Sequence, residues 1–198
     1  PWAKTSVDQE VPERQGPFYA LFLLAFAGLM GITLTGDAFN VFVFLEISSL
    51  ATYALIAHGQ DRRALLAAFR YLIMGTVGAT FLLIGIGFLY MMTGTLNMVD
   101  LAQRLPELRD TATVEVALAF IVLGMGLKLA LLPLHLWLPN AYTYAPSFIS
   151  VFLAATATKV ALYVLLRFTF TVFAPDYSFV ALPLAVVLMA LAIAGMVV

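Results

Sequence analysis

The charges in this sequence leave gaps too long for a fold surrounded by water. Residues 15–36, 71–99 and 177–198 contain no Asp, Glu, Lys or Arg, while 38–60 contains only Glu46 and 116–158 only Lys128. A helix crosses ~30 Å of hydrocarbon with about 20 apolar residues, so each of these runs is long enough to span a bilayer. Composition agrees, with 63% AVILMFWYC and 11% charged residues, against about 45–50% and about 25% in a soluble domain. The expected fold is all-α: a polytopic membrane bundle of about six transmembrane helices, at 17–35, 38–58, 64–92, 114–138, 148–171 and 178–198, behind an extramembrane segment at 1–16.

The connections support this division. Gly36-Asp37, His58-Gly59-Gln60-Asp61 and Ala174-Pro175-Asp176 are polar or turn-forming, and 93–113 is a longer extramembrane stretch. Lys4, Arg14, Arg62 and Arg63 fall on the N-terminal side of the spans, against Arg104 and Arg109 on the other, which places the N-terminal side in the cytoplasm. The chain opens on Pro1-Trp2-Ala3 with no translation start or signal peptide, as expected of an internal piece of a longer polytopic protein. Ten Lys and Arg against eleven Asp and Glu leave no basic field for nucleic acid. The absence of cysteine removes disulfides, Cys-ligated zinc, iron–sulfur clusters and a cysteine nucleophile. No metal or cofactor is expected, and the partners are lipid and other membrane subunits.

Three ionisable residues stand out because they fall inside predicted spans: Glu46, Lys128 and Lys159. A charge at the centre of a spanning helix costs ~2.5–3.5 kcal/mol, so each needs a partner, an aqueous cavity or a change of protonation. At about 1.5 Å per residue, Glu46 lies ~12 Å and Lys128 ~21 Å from one face, and Lys159 ~16 Å from the other. All three fall near the midplane. A structural ion pair has no need to line charges up at one depth, whereas a lateral proton path does. Burial favours the neutral form of a lysine or a carboxyl and a charged partner opposes this, so the Glu–Lys separation would set how firmly the lysine holds its proton. Arg70, about two turns into the third predicted helix, and His135, near the end of the fourth, are accessory candidates.

Pro133 and Pro139 follow Lys128 closely. An internal proline removes a helix hydrogen bond and clashes with the preceding turn, so Lys128 is expected just before a discontinuity, the kind of broken helix that lines a cavity in transporters. The glycines at 75, 78, 85, 87, 124 and 126 read as close-packing positions. Trp2, Tyr53, Trp137, Tyr142 and Tyr144 read as interface anchors.

The sequence resembles a known family from about Gly36 to Phe170. Gly36-Asp37-Ala38-Phe39-Asn40-Val41-Phe42-Val43-Phe44-Leu45-Glu46 is similar to the segment carrying the essential glutamate of the antiporter-like subunits shared by Mrp-type Na+/H+ antiporters, respiratory complex I and membrane-bound hydrogenases. Leu127-Lys128-Leu129-Ala130-Leu131-Leu132-Pro133-Leu134-His135-Leu136-Trp137-Leu138-Pro139 resembles its broken helix with a central lysine. Ala157-Thr158-Lys159-Val160-Ala161-Leu162-Tyr163 resembles the lysine helix that follows, and Tyr90 to Leu101, with Thr93-Gly94-Thr95-Leu96-Asn97, the family's loop after its sixth helix. The resemblance implies the first unit of an inverted repeat in a bacterial or archaeal cell membrane. In it Glu46 is the charge partner, Lys128 the central proton carrier and Lys159 the connecting lysine.

Two departures matter. Arg70 stands where the family commonly has lysine, and arginine is effectively never deprotonated. Asn140 and Tyr142 replace the acid and histidine usual in complex I members, which leans the reading towards the Mrp-like branch, a proton-translocating subunit of a multisubunit Na+/H+ antiporter moving H+ and Na+. The alternatives are a proton-pumping subunit of a complex I-like NADH:quinone oxidoreductase or membrane hydrogenase, and a passive scaffold. An intramembrane hydrolase would need a paired nucleophile and base or metal ligands, for which Glu46 with one distant histidine is a poor set.

Overall fold

The computed structural model describes residues 2–108, 111–173 and 184–197, and among them the regular structure is helical. In chain order the α-helices are α1 (Trp2–Glu10), α2 (Gln15–Leu34), α3 (Ala38–Ala57), α4 (Arg62–Thr93), α5 (Met98–Arg104), α6 (Ala112–Leu129), α7 (Leu138–Tyr144), α8 (Ser147–Leu166) and α9 (Leu184–Val197). A 3₁₀ turn, Leu105–Leu108, follows α5, and a π-helical turn, Arg167–Val172, extends α8. Five helices, α2, α3, α4, α6 and α8 with its extension, are long and apolar enough to cross a membrane. Of the expected sixth span at 178–198, residues 178–183 and 198 lie outside the described residues, and 184–197 is helical.

The start of each helix follows from its sequence. Asp37 accepts a hydrogen bond from the Asn40 amide at the head of α3, Asp61 from Arg63 at the head of α4, and Asn97 from Val99 and Asp100 at the head of α5, each satisfying donors left free by a helix start. Helix α4 stops at Gly94, whose φ of 70° is natural for glycine alone. The stretch 93–113 is more structured than its polar composition suggested. Within it α5 buries Met98 and Leu101, while Arg104 bonds both Asp100 and the Thr93 carbonyl. A short antiparallel bridge joins Asp37 to Asn97, the Ala38 amide donating to Leu96 and the Met98 amide to Gly36. It fastens the head of α3 to the end of α4.

The spanning helices form a ring: α2 packs on α3, α3 on α4, α4 on α6, α6 on α8, and α8 returns to α2. Helices α4 and α6 approach closest. A Cβ added to Gly124 would fall 2.5 Å from the Gly78 carbonyl oxygen, and one added to Gly78 3.0 Å from that of Gly124. Gly87 differs from the expectation: a Cβ there would meet nothing within 4 Å, because it lies on the exposed face of α4.

The core divides into two apolar clusters. One gathers Ile32, Val41, Leu45, Leu82, Ile121, Met125, Ala161 and Leu165; the other gathers Ala25, Ala51, Tyr53, Tyr71, Trp137, Ile149 and Leu153. Helices α2, α3, α4, α6 and α8 all contribute to the first, and all but α6 to the second. On α3, Glu46, Ser48 and Ser49 fall between Leu45 of the first cluster and Ala51 of the second.

Candidate functional site

Helix α6 ends as the prolines require. Pro133 has no N–H for the Leu129 carbonyl and its ring would clash there, and the helix terminates at Leu129. Ala130 turns into the left-handed region at φ 56°. Its amide donates to Leu127 and that of Leu131 to Gly126, an end usually built with glycine. Trp137, on the connection to α7, donates from Nε1 to the Leu127 carbonyl at 3.0 Å. Lys128 therefore occupies the last turn of a helix that stops inside the bundle, where the carbonyl end of the helix dipole favours a cation by ~0.3–1 kcal/mol.

Across from it, Glu46 projects from the middle of α3. Its Oε1 lies 3.7 Å from Lys128 Nζ, with the lysine side chain 6% exposed and the glutamate 23%. Lys128 Nζ donates to Ser49 Oγ at 2.7 Å, whereas Glu46 Oε1 is buried and accepts no hydrogen bond. Lysine has three donors, so two remain after Ser49. The neighbouring hydroxyls are committed to their own helix, Ser48 to the Leu45 carbonyl and Thr52 to that of Ser48. Beside the ammonium lies a cavity of about 30 Å³, walled by Ser49, Thr52, Tyr71, Leu153, Ala157 and Val160 among others. That volume accommodates one water molecule, and a polar wall is what would hold it. Ser49 and this cavity are the polar surroundings of the ammonium, whose side chain is 6% exposed, while Glu46 keeps 23% of its own side chain exposed.

The other sequence candidates lie elsewhere. Lys159 is on α8 at the level of the cavity, for its chain neighbours Ala157, Val160 and Ala161 line it. Its side chain is nevertheless exposed, with Nζ bonded at 2.5 Å to the Ala154 carbonyl, and it is not brought to the Glu46–Lys128 pair. His135 lies on the non-helical connection between α6 and α7, its Nδ1 buried without a hydrogen bond, and it does not line the cavity. Arg70 is exposed on α4, although the next residue, Tyr71, does line it.

Ser49 and Tyr71 are residues the sequence reading missed. The spacing of Ser49 from Glu46, one turn of helix, was a usable signal. Tyr53 and Trp137 correct the reading as interface anchors: they are 5% and 3% exposed. Tyr53 meets Tyr71 edge-to-face at 4.7 Å, and Tyr71 stacks on Trp137 at 4.1 Å. Burial of three aromatic rings outweighs their preference for an interface once the fold offers them partners.

A ring of membrane helices with a buried lysine–glutamate contact at the break of one of them defines a polytopic antiporter-like membrane subunit. The chain belongs to the family described as NADH:quinone oxidoreductase/Mrp antiporter, TM, which its residues 35–198 match. It is 60% identical over 161 residues to NADH-quinone oxidoreductase subunit N of Desulforudis audaxviator, covering 81% of this chain and 32% of that one. It is 38% identical over 170 residues to a Na(+)/H(+) antiporter subunit of Bacillus subtilis, covering 84% and 34%. Among solved structures it resembles a chain of the membrane-bound sulfane sulfur reductase, an archaeal respiratory membrane complex, with a TM-score of 0.74 and 38% identity over 78% of this chain and 31% of that one. The chain spans about a third of the length of the curated relatives it matches.

Proposed function

We propose that this chain carries one section of a proton path in which Lys128 holds and releases a proton under the control of Glu46, and that the path serves Na+/H+ exchange within a multisubunit membrane complex. The observation that carries this reading is the 3.7 Å contact of Glu46 Oε1 with Lys128 Nζ between the two apolar clusters. Two opposite charges ~4 Å apart attract by about 4 kcal/mol at an effective dielectric constant of about 20, and by about half that at ~8 Å. A retreat of Glu46 by a few ångström therefore loosens the ammonium, and an approach fixes it. Ser49 and the adjoining cavity offer the released proton its first acceptor. Lys159, one helix face away, is the next station once its side chain leaves the Ala154 carbonyl.

Exchange with Na+ is favoured by the uncharged Asn140 and Tyr142 beyond the helix break. A second reading, a redox-driven proton pump whose redox centres lie in other chains, is favoured by the relative that is 60% identical and named NADH-quinone oxidoreductase subunit N. The test uses the full-length parent complex in everted vesicles energised without NADH, and records collapse of the pH gradient on adding Na+. Collapse in the wild type and its loss in an assembled Lys128→Ala complex support Na+/H+ exchange through Lys128. Unchanged exchange in the mutant reduces the pair to a structural role, and no response to Na+ in the wild type moves the reading to the redox-driven pump.

A further inference from the structure

A second site lies on the outer face of the bundle, along the seam between α4 and α7. Arg63, Leu66, Ala67, Arg70, Ile73 and Met74 recur at helical spacing and form one stripe down α4. Two adjoining hollows follow this stripe and share Arg70. The upper, about 190 Å³, is lined by Arg63, Arg70, Asn140 and Tyr144 among others; the lower, about 410 Å³, by Phe69, Ile73, Met74, Leu136 and Trp137 besides Arg70 itself. The groove is thus basic and polar at one end and apolar at the other.

Neither arginine forms an ion pair with a described residue; Asp61, which exerts some attraction on the Arg63 guanidinium, accepts a hydrogen bond from the Arg63 backbone amide. Arg63 is instead aimed by Tyr144, donating to its hydroxyl at 3.3 Å and lying 5.9 Å from its ring centroid. The apolar end is open, with Leu136 74%, Phe69 58% and Ile73 48% exposed.

Depth fixes the kind of occupant. Helix α4 has 32 residues, about 48 Å at ~1.5 Å per residue, against a hydrocarbon core of ~30 Å. Centred on that core, the helix places Arg70 about 4 Å inside the hydrocarbon boundary, within reach of the headgroups for a long side chain, with Arg63 in the headgroup layer and Ile73 and Met74 among acyl chains. The geometry points to a binding site for one anionic phospholipid, its phosphate held by Arg63 and Arg70 and an acyl chain lying along Ile73, Met74 and Leu136. Arginine matches a phosphate with paired donors, and basic pockets beside membrane helices take anionic headgroups. This site is separate from the Glu46–Lys128 pair and stands independently of the proposed function.

The test is native mass spectrometry of the full-length parent protein in detergent, titrated with phosphatidylglycerol, phosphatidylcholine or inorganic phosphate. The wild type is expected to prefer phosphatidylglycerol over phosphatidylcholine. Arg70→Gln should weaken phosphatidylglycerol binding about fivefold, and Arg63→Gln with Arg70→Gln about 30-fold, while phosphatidylcholine binding stays unchanged. Arg70→Lys, which keeps the charge but not the paired donors, should lose less than Arg70→Gln. Equal affinity for the two lipids overturns the proposal, as does indifference of phosphatidylglycerol binding to the double substitution or a loss in Arg70→Lys as large as in Arg70→Gln. Inorganic phosphate that displaces the lipid at equal concentration marks a free-anion site instead. A photoreactive side chain placed at position 73 should cross-link to lipid in native membranes, and a cross-link to another protein subunit assigns the groove to a protein.

Discussion

Replacing Gly124 by alanine tests whether the closeness of α4 and α6 positions the lysine. The added methyl would sit 2.5 Å from the Gly78 carbonyl oxygen and 2.8 Å from the Leu82 nitrogen. Both are backbone atoms held in the α4 hydrogen-bond ladder, so neither can swing aside as a side chain would. The helices must part by several tenths of an ångström, and such overpacking costs ~1–3 kcal/mol. Alanine gives back ~0.5–1 kcal/mol through its better helix propensity, leaving a net loss of up to about 2.5 kcal/mol. Lys128 is one turn further along α6, so the same displacement shifts its ammonium relative to Glu46. Gly87→Ala is the matched control, since its methyl meets nothing within 4 Å, and it should gain the propensity term alone. At about 1 °C per kcal/mol for a chain about three times this length, thermal unfolding of the full-length protein in detergent should place Gly124→Ala about 1–2 °C below wild type and Gly87→Ala slightly above. Gly124→Ala melting at or above wild type would refute the argument that backbone contact there is limiting.

Three further outcomes follow from the break and the connection between α4 and α6. Trp137→Phe keeps the stack on Tyr71 but strips the Leu127 carbonyl of one of its two donors, the Ala130 amide remaining, and should cost ~0.5–1.5 kcal/mol of stability in the same assay. Ala130→Gly relieves a left-handed residue that carries a Cβ and should stabilise by ~1 kcal/mol, whereas Ala130→Val should destabilise. Asp100, outside the membrane-spanning helices, is held below the usual carboxylate range, first by its hydrogen bond from Arg104 and then by Thr95. With the folded value below the unfolded one, its contribution is complete above the ordinary carboxylate range and fades as pH falls through the depressed value. Amide exchange in α5 should therefore be constant near neutrality and rise, beyond its intrinsic pH dependence, only in strong acid, while Asp100→Asn should show the faster exchange already at neutral pH.

Long charge-free runs committed this chain to membrane helices without reference to any tertiary contact, because a bilayer supplies no partner for an unpaired backbone group and a helix satisfies its own. Pro133 likewise announced the end of α6 next to Lys128, since the missing N–H and the ring clash are local. The unusual position of Glu46 and Lys128 in apolar sequence was equally plain. What those residues touch was not. That Lys128 reaches Ser49 and Glu46 while Lys159 turns outward depends on how α3, α6 and α8 are rotated in the ring, and nearly uniform apolarity around each helix leaves that rotation unmarked in the sequence. The same blindness moved Tyr53 and Trp137 from an expected interface into the core, where Tyr71 stacks between them, and left the helical turn α5 unforeseen until its buried face met the bundle. Composition and covalent geometry acted along the chain and could be read there; the ion pair, the aromatic stack and the basic groove came into being only when distant helices packed side by side.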